Sequence, residues 1–276
     1  MDLGMSKLAS RQLAFVGCGN LGRAILGALL DGAVPPDHVR VSTRRPERGR
    51  ALAEERGVRF APTNVECVQD ADIIVMAVKP QILPEVLEEV ASAHGDALVI
   101  SLAAGVRTDT IEAALGGCPR VVRAMPNTPA LIHESATAVS PGAHATEEDV
   151  ALAVELFAAV GRVTAVDEVH LDAVTGLSGS GPAYVFLIVE AFADAGVRVG
   201  LSREVATDLA IQTIRGSAGM LQKTGEHPGR LKDQVTSPGG TAIAGLHTLE
   251  EGGLRTTIMN AVHAAYLRAG ELGAKK

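Results

Sequence analysis

The sequence predicts an α/β protein in which an N-terminal Rossmann-like domain on a parallel sheet, residues 1–166, precedes an all-α domain, residues 167–276. Three observations predict this fold class. Short runs rich in valine and isoleucine alternate with stretches of helical periodicity in the first domain. A glycine fingerprint follows the first of these runs. After Asp167 no strand pattern remains.

The predicted elements follow from this change of periodicity. Apolar runs of strand length are residues 13–16, 39–42, 73–77, 98–102 and 121–124. Helical spacing of apolar residues occurs between the runs over residues 21–30, 47–56 and 82–93. In the second domain it covers residues 171–177, 182–195, 203–224, 242–250 and 254–272. Helices that separate parallel strands cover both faces of a sheet, as in nucleotide-binding domains.

One predicted helix of the second domain is apolar around its whole circumference, over residues 183–189. A small helical domain buries such a helix most easily against a second chain. We therefore expect a homo-oligomer. The alternative, a central helix wrapped by its own chain, stays open at this point.

Six residues after the first predicted strand fit the pattern G-x-G-x-x-G: Gly17, Cys18, Gly19, Asn20, Leu21 and Gly22. Gly17 permits a tight turn, Gly19 lets the backbone approach a pyrophosphate, and Gly22 lets the helix pack closely on the strand. The motif stands between a strand and a helix, which predicts a dinucleotide site. The alternative is a strand-to-helix turn without a ligand.

The end of the second predicted strand indicates which dinucleotide is bound. An NAD-binding chain usually places a carboxylate there, whereas this chain has Ser42 and Thr43 followed by Arg44 and Arg45. Hydroxyl and guanidinium groups can bind a 2′-phosphate. We therefore expect NADPH, with NADH possible. Alternatively, the arginines belong to a solvated loop.

Composition excludes several other classes of function. A net charge of −7 gives no basic footprint for nucleic acid, and with 3% aromatic residues no base-stacking platform is expected. No C-x-x-C pair or close histidine spacing indicates a disulfide or a metal, and we expect three small buried cysteines. No segment approaches the length of an apolar run needed to span a bilayer, so we predict a soluble cytoplasmic protein without a membrane partner.

Further motifs follow in a fixed order along the chain. They are A-V-K-P-Q at residues 77–81, S-L-A-A-G at 101–105, R-A-M-P-N-T-P at 123–129, D-A-V-T-G-L-S-G-S-G-P-A-Y at 172–184 and V-T-S-P-G-G-T at 235–241. With these motifs the chain resembles the pyrroline-5-carboxylate reductases, the last enzymes of proline synthesis. The resemblance covers nearly the whole chain, and the last two motifs are its most specific part.

The resemblance implies which residues contact the cofactor besides the glycine fingerprint. They are Ser42, beside the adenosine phosphate, with Asn64, Ala77, Val78, Lys79, Pro80, Ala103 and Ala104. The positions of these residues agree with this role. Residues 77–80 and residues 103–104 each follow a predicted parallel strand, at the edge where open α/β sheets bind ligands. Lys79 has an alternative interpretation as a solvated charge at a strand end.

The loop from Ser237 through Gly239 and Gly240 to Thr241 precedes a predicted helix, and its backbone N–H groups can turn around an anion. An ordinary loop with a threonine N-cap is equally compatible with the residues alone. The resemblance favours a site for the carboxylate of a cyclic imino acid. Many relatives carry a hydroxyl residue where this chain has Ala242, and some carry asparagine where it has Gln234.

The resemblance also implies a reaction, in which NADPH reduces the C5=N bond of 1-pyrroline-5-carboxylate to proline. Glu168 and Thr175 match positions around the substrate ring, so either can assist catalysis by a hydrogen bond near the ring nitrogen. The implied pocket forms between two subunits of a homodimer, and relatives assemble such dimers into larger rings.

Two other functions remain to be compared with this one. A β-hydroxyacid dehydrogenase shares the domain order but needs a lysine in its helical half, where only Lys223 and Lys232 precede the C-terminal tail. A non-catalytic NADP-binding regulator could combine the same two domains. The Ser237–Thr241 loop is unexplained by either alternative.

Overall fold

The structure, a computed structural model, describes residues 6–274. The chain packs into two compact units. One runs to Ser180 and takes in the chain from Ala264 onward, and the other comprises Gly181–His263. The predicted boundary at residues 166 and 167 does not coincide with this division, because Glu168 and the residues after it are bound to the first unit. Residues 1–5 and 275–276 of the predicted domains lie outside the described residues.

The first unit is built on a single sheet whose strands are β1 Leu13–Val16, β2 Val39–Ser42, β3 Arg59–Phe60, β4 Ile73–Met76, β5 Leu98–Ser101, β6 Arg120–Met125, β7 Ser135–Pro141 and β8 Gly161–Ala165. Their spatial order is β3-β2-β1-β4-β5-β6-β7-β8. Strands β1 to β6 are parallel. β7 is antiparallel to β6, and β8 is parallel to β7.

Helices of the first unit are α1 Asn20–Leu30, α2 Pro46–Arg56, α3 Asn64–Val68, α4 Leu83–Val90, α5 Thr108–Leu115, α6 Glu147–Ala158 and α7 Leu171–Val174. Short 3₁₀ turns occupy Pro36–His38, Thr128–Ile132 and Glu168–His170. The second unit contains α8 Gly181–Arg198, α9 Arg203–Thr224, α10 Pro228–Gln234, α11 Thr241–Glu251 and the first part of α12 Leu254–Ala274.

The central strands alternate their side chains between two apolar layers. Phe15 and Val75 lie in one layer with helices α1 and α6. Val16 and Ile74 lie in the other with α4 and α5. Both faces of the sheet are therefore covered, which is why these strands read as continuous apolar runs in the sequence.

The predicted fold class is confirmed, and the five predicted strands end within one residue of β1, β2, β4, β5 and β6. The sequence patterns missed β3, β7 and β8 and helices α3, α5, α6 and α10. β7 also makes the sheet mixed rather than wholly parallel. Its sequence, S-A-T-A-V-S-P, buries hydroxyls instead of branched apolar side chains. The hydroxyls of Ser135 and Thr137 form a hydrogen bond with each other over 2.9 Å.

Two smaller predictions are wrong: that no segment is long and apolar enough to span a bilayer, and that all three cysteines are buried. The helical stretch Glu168–Arg198 is long and apolar enough to cross a membrane by length and composition. Glycines and a proline between the predicted helices 171–177 and 182–195 indicate a turn, whereas the structure has one helical stretch there. Among the cysteines, Cys67 is buried, but Cys118 is exposed.

Candidate active site

The carboxyl ends of the parallel strands form one edge, where the strand order reverses between β1 and β4. Two hydrogen bonds extend the pairing beyond the strands. Gly17 N–H donates to the carbonyl of Ser42 over 2.9 Å, and Ala77 N–H donates to that of Val16 over 2.8 Å. The structure thus brings the fingerprint, the end of β2 and the end of β4 to one crevice, the usual ligand position in open α/β sheets.

Gly17 cannot be replaced at this crevice without a clash. Its φ is +81°, and an added Cβ would stand 2.5 Å from Cγ1 of Val78. Gly22 packs on the same strand end, since a Cβ there would lie 3.1 Å from that of Ala77. These two glycines hold α1 against β4, as the fingerprint predicts.

Helix α1 presents its N-terminus at the same crevice. Its first N–H groups have no intrahelical acceptor, Gly19 supplies no side-chain cap, and no acidic residue stands in the first turn. A Cβ on Gly19 would meet no heavy atom within 4 Å. Free N–H groups beside an open backbone fit the diphosphate of a dinucleotide.

Cys18 adds no charge to this anion site. Burial, together with the neighbouring thiol of Cys67, raises the pKa of the Cys18 thiol to about 12. The thiol is therefore neutral at physiological pH and does not repel a phosphate. Asn20 and Leu21 continue the fingerprint into α1.

The end of β2 carries the residues predicted to read the adenosine ribose. The Ser42 hydroxyl is buried and donates to Oδ1 of Asn64 over 2.8 Å. Arg44 is exposed and makes no hydrogen bond or ion pair within residues 6–274. The structure thus joins Ser42 to Asn64 and leaves a guanidinium two residues further on that can bind a phosphate.

The ends of β4 and β5 lie side by side, because Leu102 N–H donates to the carbonyl of Met76 over 3.1 Å. Val78, Lys79 and Pro80 therefore follow a strand end at the same edge of the sheet as Ala103 and Ala104. Ala103 is buried. The side chain of Lys79 is exposed, while its carbonyl accepts the N–H of Leu83 at the start of α4.

Glu168 is bound on both carboxylate oxygens. Oε1 accepts the Thr108 N–H over 2.7 Å and Nη1 of Arg123 over 2.9 Å. Oε2 accepts the Thr108 hydroxyl over 2.8 Å. Burial opposes ionisation, but the hydrogen bonds from Arg123 and Thr108 outweigh it and lower the pKa of Glu168. The Glu168 carboxylate is therefore ionised, and this geometry suits a structural role better than the role of a proton donor.

Arg123 and Thr108 were missed as partners of this carboxylate. Arg123 is buried within β6, whose sequence is R-V-V-R-A-M. An arginine between apolar neighbours in a predicted strand was the available signal, because a buried charge requires a partner. The identity of the partner, 45 residues away, depended on the fold.

Thr175 opens a π-helical turn, Thr175–Gly179, after α7. Ser180 N–H donates to the Thr175 carbonyl over 2.8 Å, and the Thr175 hydroxyl donates to the carbonyl of Leu171 over 2.8 Å. The hydroxyl proton is thus committed, whereas its oxygen can still accept a hydrogen bond. Single π-helical turns occur often at functional sites.

Asn127, another residue missed as a contributor, ties this turn to the sheet. Its Nδ2 donates to the carbonyl of Ser178 over 3.0 Å, and its Oδ1 accepts the N–H of Ala136 over 3.0 Å. The turn also approaches β6, since a Cβ on Gly179 would stand 2.7 Å from the methyl carbon of Met125. Thr175 is therefore held near the carboxyl edge of the parallel strands.

The predicted substrate loop lies in the second unit, between α10 and α11. Gly239 has a φ of +66°, and Gly240 is the N-cap of α11, without a side-chain cap. Thr241 is therefore the first residue of α11 and not its N-cap. Gly240 N–H donates to the carbonyl of Ser237 over 3.0 Å. Among the backbone N–H groups of Gly239, Gly240 and Thr241, which could bind a carboxylate, that of Gly240 thus already has an acceptor.

Two family models match the chain. Residues 168–272 match pyrroline-5-carboxylate reductase dimerisation, and residues 12–105 match NADP oxidoreductase, coenzyme F420-dependent. The pyrroline-5-carboxylate reductase of Arabidopsis thaliana is 45% identical over 265 residues, 95% of this chain and 96% of the relative. That of Escherichia coli K12 is 45% identical over 91% of this chain and 94% of the relative. The chain belongs to the pyrroline-5-carboxylate reductase family.

Solved structures of the pyrroline-5-carboxylate reductase family agree. The structure from Coxiella burnetii has a TM-score of 0.90 at 38% identity and covers 95% of this chain and 98% of its own. The Plasmodium falciparum structure, which has NADP bound, has a TM-score of 0.87 at 31% identity and covers 96% and 99%. The family and fold predicted from the motifs are confirmed.

Proposed function

We propose that this chain reduces the C5=N bond of 1-pyrroline-5-carboxylate with NADPH to give L-proline, the last step of proline biosynthesis. The observation that carries the proposal is identity of 45% to a reductase of this name along 95% of the chain. Neither a β-hydroxyacid dehydrogenase nor a non-catalytic regulator accounts for that match. The chain is an NAD(P)H-dependent oxidoreductase.

The residues at the crevice fit NADPH. When bound, the cofactor supplies a hydride from C4 of its nicotinamide ring. The N-terminus of α1, from Gly19 onward, would hold the diphosphate. Ser42 and Arg44 would lie beside the adenosine 2′-phosphate, and Asn64 would contact the cofactor. The ends of β4 and β5, with Lys79 and Ala103, would hold the nicotinamide.

The substrate carboxylate binds the Ser237–Thr241 loop through the backbone N–H groups of Gly239 and Thr241, with Gly240 contributing once its bond to Ser237 is exchanged. The Ser237 and Thr241 hydroxyls add donors, and Ala242 contributes none. Anchoring the carboxylate fixes the ring, so that C5 faces the hydride donor. Position, more than proton transfer, then lowers the barrier.

Thr175 and Glu168 have different roles in this proposal. A protonated imine carries an N–H donor, and the Thr175 hydroxyl oxygen is an acceptor that can bind it. During reduction C5 gains the hydride, the C=N π electrons become the nitrogen lone pair, and the N–H stays bound to Thr175. Glu168 acts indirectly, by holding α7 and the π-helical turn on Arg123 and Thr108.

The working protein is proposed to be a cytoplasmic homodimer that assembles into a larger homo-oligomer, with substrate sites formed between subunits. The family match to a dimerisation domain supports self-association. Exposed apolar side chains on α8 also support it: Phe186 is 67% exposed and Leu187 66% exposed. A second chain would cover this surface.

The activity is tested by following NADPH absorbance after addition of 1-pyrroline-5-carboxylate, with proline measured as the product. We expect one proline for each NADPH oxidised, and slower or weaker use of NADH. Oxidation of β-hydroxy acids with NADP⁺ and no proline would instead support the dehydrogenase alternative. NADPH binding without turnover of any cyclic imine would support the regulator.

The cofactor assignment is tested by Arg44→Asp. A carboxylate in place of the guanidinium repels the 2′-phosphate, so the Kd for NADPH should rise at least about tenfold while that for NADH changes little. Arg48→Asp makes the same charge change in the first turn of α2 and is the matched control. Equal losses for both cofactors would contradict the assignment.

A further inference from the structure

A chain of three side chains starts at the end of β2. The Ser42 hydroxyl donates to Oδ1 of Asn64 over 2.8 Å. Nδ2 of Asn64 then donates to Oε2 of Glu89 over 2.6 Å. Ser42 is buried, Asn64 is half-buried as the first residue of α3, and Glu89 is an exposed residue of α4. No step of the proposed reaction uses Glu89.

The carboxylate at the end of this chain fixes the direction of every hydrogen bond in it. An ionised carboxylate only accepts, so the NH₂ group of Asn64 must face Glu89. The carbonyl oxygen of Asn64 therefore faces Ser42 and takes its proton. Ser42 is left with lone pairs alone for any third group.

This direction matters because Ser42 ends the second strand, the position that reads the 2′ substituent of the adenosine ribose. A 2′-hydroxyl can donate to the lone pairs of Ser42. A 2′-phosphate at neutral pH presents acceptors, so Ser42 must first release its bond to Asn64. The negative charge of Glu89 also repels the phosphate.

We propose that Glu89 is a positioning residue that sets cofactor specificity: by orienting Asn64 it keeps Ser42 an acceptor, limits the preference for NADPH and keeps NADH usable. This inference rests on the cofactor site of the proposed function. Arg44 and Glu89 then act in opposite senses on the 2′-phosphate, one by attraction and the other through Asn64 and Ser42.

The test is Glu89→Gln, which keeps the length of the side chain but removes its charge and adds a donor. The side-chain amide of Asn64 can then flip, so that its NH₂ group faces Ser42 and the Ser42 hydroxyl can donate to a phosphate. Glu88→Gln is the matched control, because Glu88 is an exposed acid of the same helix whose side chain makes no hydrogen bond or ion pair within residues 6–274. Calorimetry measures binding of adenosine 2′,5′-bisphosphate and of adenosine 5′-monophosphate to each full-length protein.

Glu89→Gln should tighten binding of the bisphosphate by about threefold to tenfold and leave the monophosphate unchanged. With intact cofactors, its KM for NADPH should fall relative to that for NADH, while kcat stays at the wild-type value. Glu88→Gln should show less than half of the effect. In a Ser42→Ala background the effect of Glu89→Gln should shrink, since the Ser42 hydroxyl that would bind the phosphate is then absent.

Three results would overturn the inference: no change in bisphosphate binding, an equal change in Glu88→Gln, or an undiminished effect without the Ser42 hydroxyl. The last two would indicate a general charge effect. Failure of the proposed function has a different signature. In that case, neither adenosine phosphate binds the wild-type protein, or both bind and no imine is reduced.

Discussion

At the scale of single residues, the Thr175 hydroxyl donates its proton to the carbonyl of Leu171, while its oxygen can still accept a hydrogen bond. Replacing it by valine keeps the shape but removes the acceptor for a substrate N–H. We expect Thr175→Val to lower kcat for pyrroline-5-carboxylate reduction about tenfold or more, within the range of catalytic hydrogen-bonding groups. Thr175→Ser should retain most of the activity. Wild-type turnover by the valine variant would show that the hydroxyl has no assisting role.

Glu168 gives a residue-scale prediction about stability and pH. Its folded pKa lies below the ordinary value of 4.5, so the interaction contributes stability above the unfolded pKa and loses it as pH falls through the folded pKa. Glu168→Gln should lower the free energy of unfolding by about 1–3 kcal/mol at pH 7. The difference from wild type should shrink below pH 4.5.

Chemical denaturation across the pH range measures this difference. Glu134→Gln is the control, because Glu134 is exposed and its side chain has no partner within residues 6–274. A destabilisation of Glu168→Gln that persists unchanged at low pH would mean that its carboxylate charge is not the stabilising feature.

At the scale of elements, the end of α12 supports the loop that follows β5. A Cβ on Gly273 would overlap the carbonyl oxygen of Gly105, whose φ is +76°. Gly273→Ala should therefore displace the segment from Ala103 to Gly105, raise KM for NADPH and destabilise the fold by about 1–3 kcal/mol. Melting curves and cofactor titrations measure both effects.

The same helix supplies a control at Gly270. A Cβ there would meet only Oδ2 of Asp172, at 3.8 Å, so Gly270→Ala should keep KM and favour the helix. If the two alanine variants behave alike, the contact between α12 and the β5 loop does not position the cofactor edge.

The elements differ in how well sequence patterns predict them. Buried parallel strands such as β4, I-I-V-M, were predictable because both of their faces are apolar. β7 was not, because the hydroxyl pair of Ser135 and Thr137 stands where apolar side chains are expected. The glycine fingerprint predicted the anion end of the site from local chemistry. The bonds from Asn64 to Glu89 and from Arg123 to Glu168 join distant segments, and only the fold reveals them.

At the scale of the whole molecule, the apolar surface of α8 predicts self-association. Leu187→Gln places an amide among exposed apolar side chains that a second subunit would bury, and an unpaired buried amide is costly. We expect its dimer to dissociate at concentrations where the wild type remains assembled, with loss of activity. Glu190→Gln on the same helix is the control, and sedimentation velocity is the measurement. Unchanged assembly of Leu187→Gln would place the interface elsewhere.

The proposed reaction of the whole molecule transfers a hydride from NADPH at the crevice to the imine carbon, and isotope labelling follows that hydride. The protein is supplied with 1-pyrroline-5-carboxylate and NADPH carrying deuterium at the transferable C4 position, and the product is examined by mass spectrometry and NMR. We predict proline with one deuterium, on C5. Proline without deuterium, or consumption of NADPH without proline, would contradict direct hydride transfer to C5.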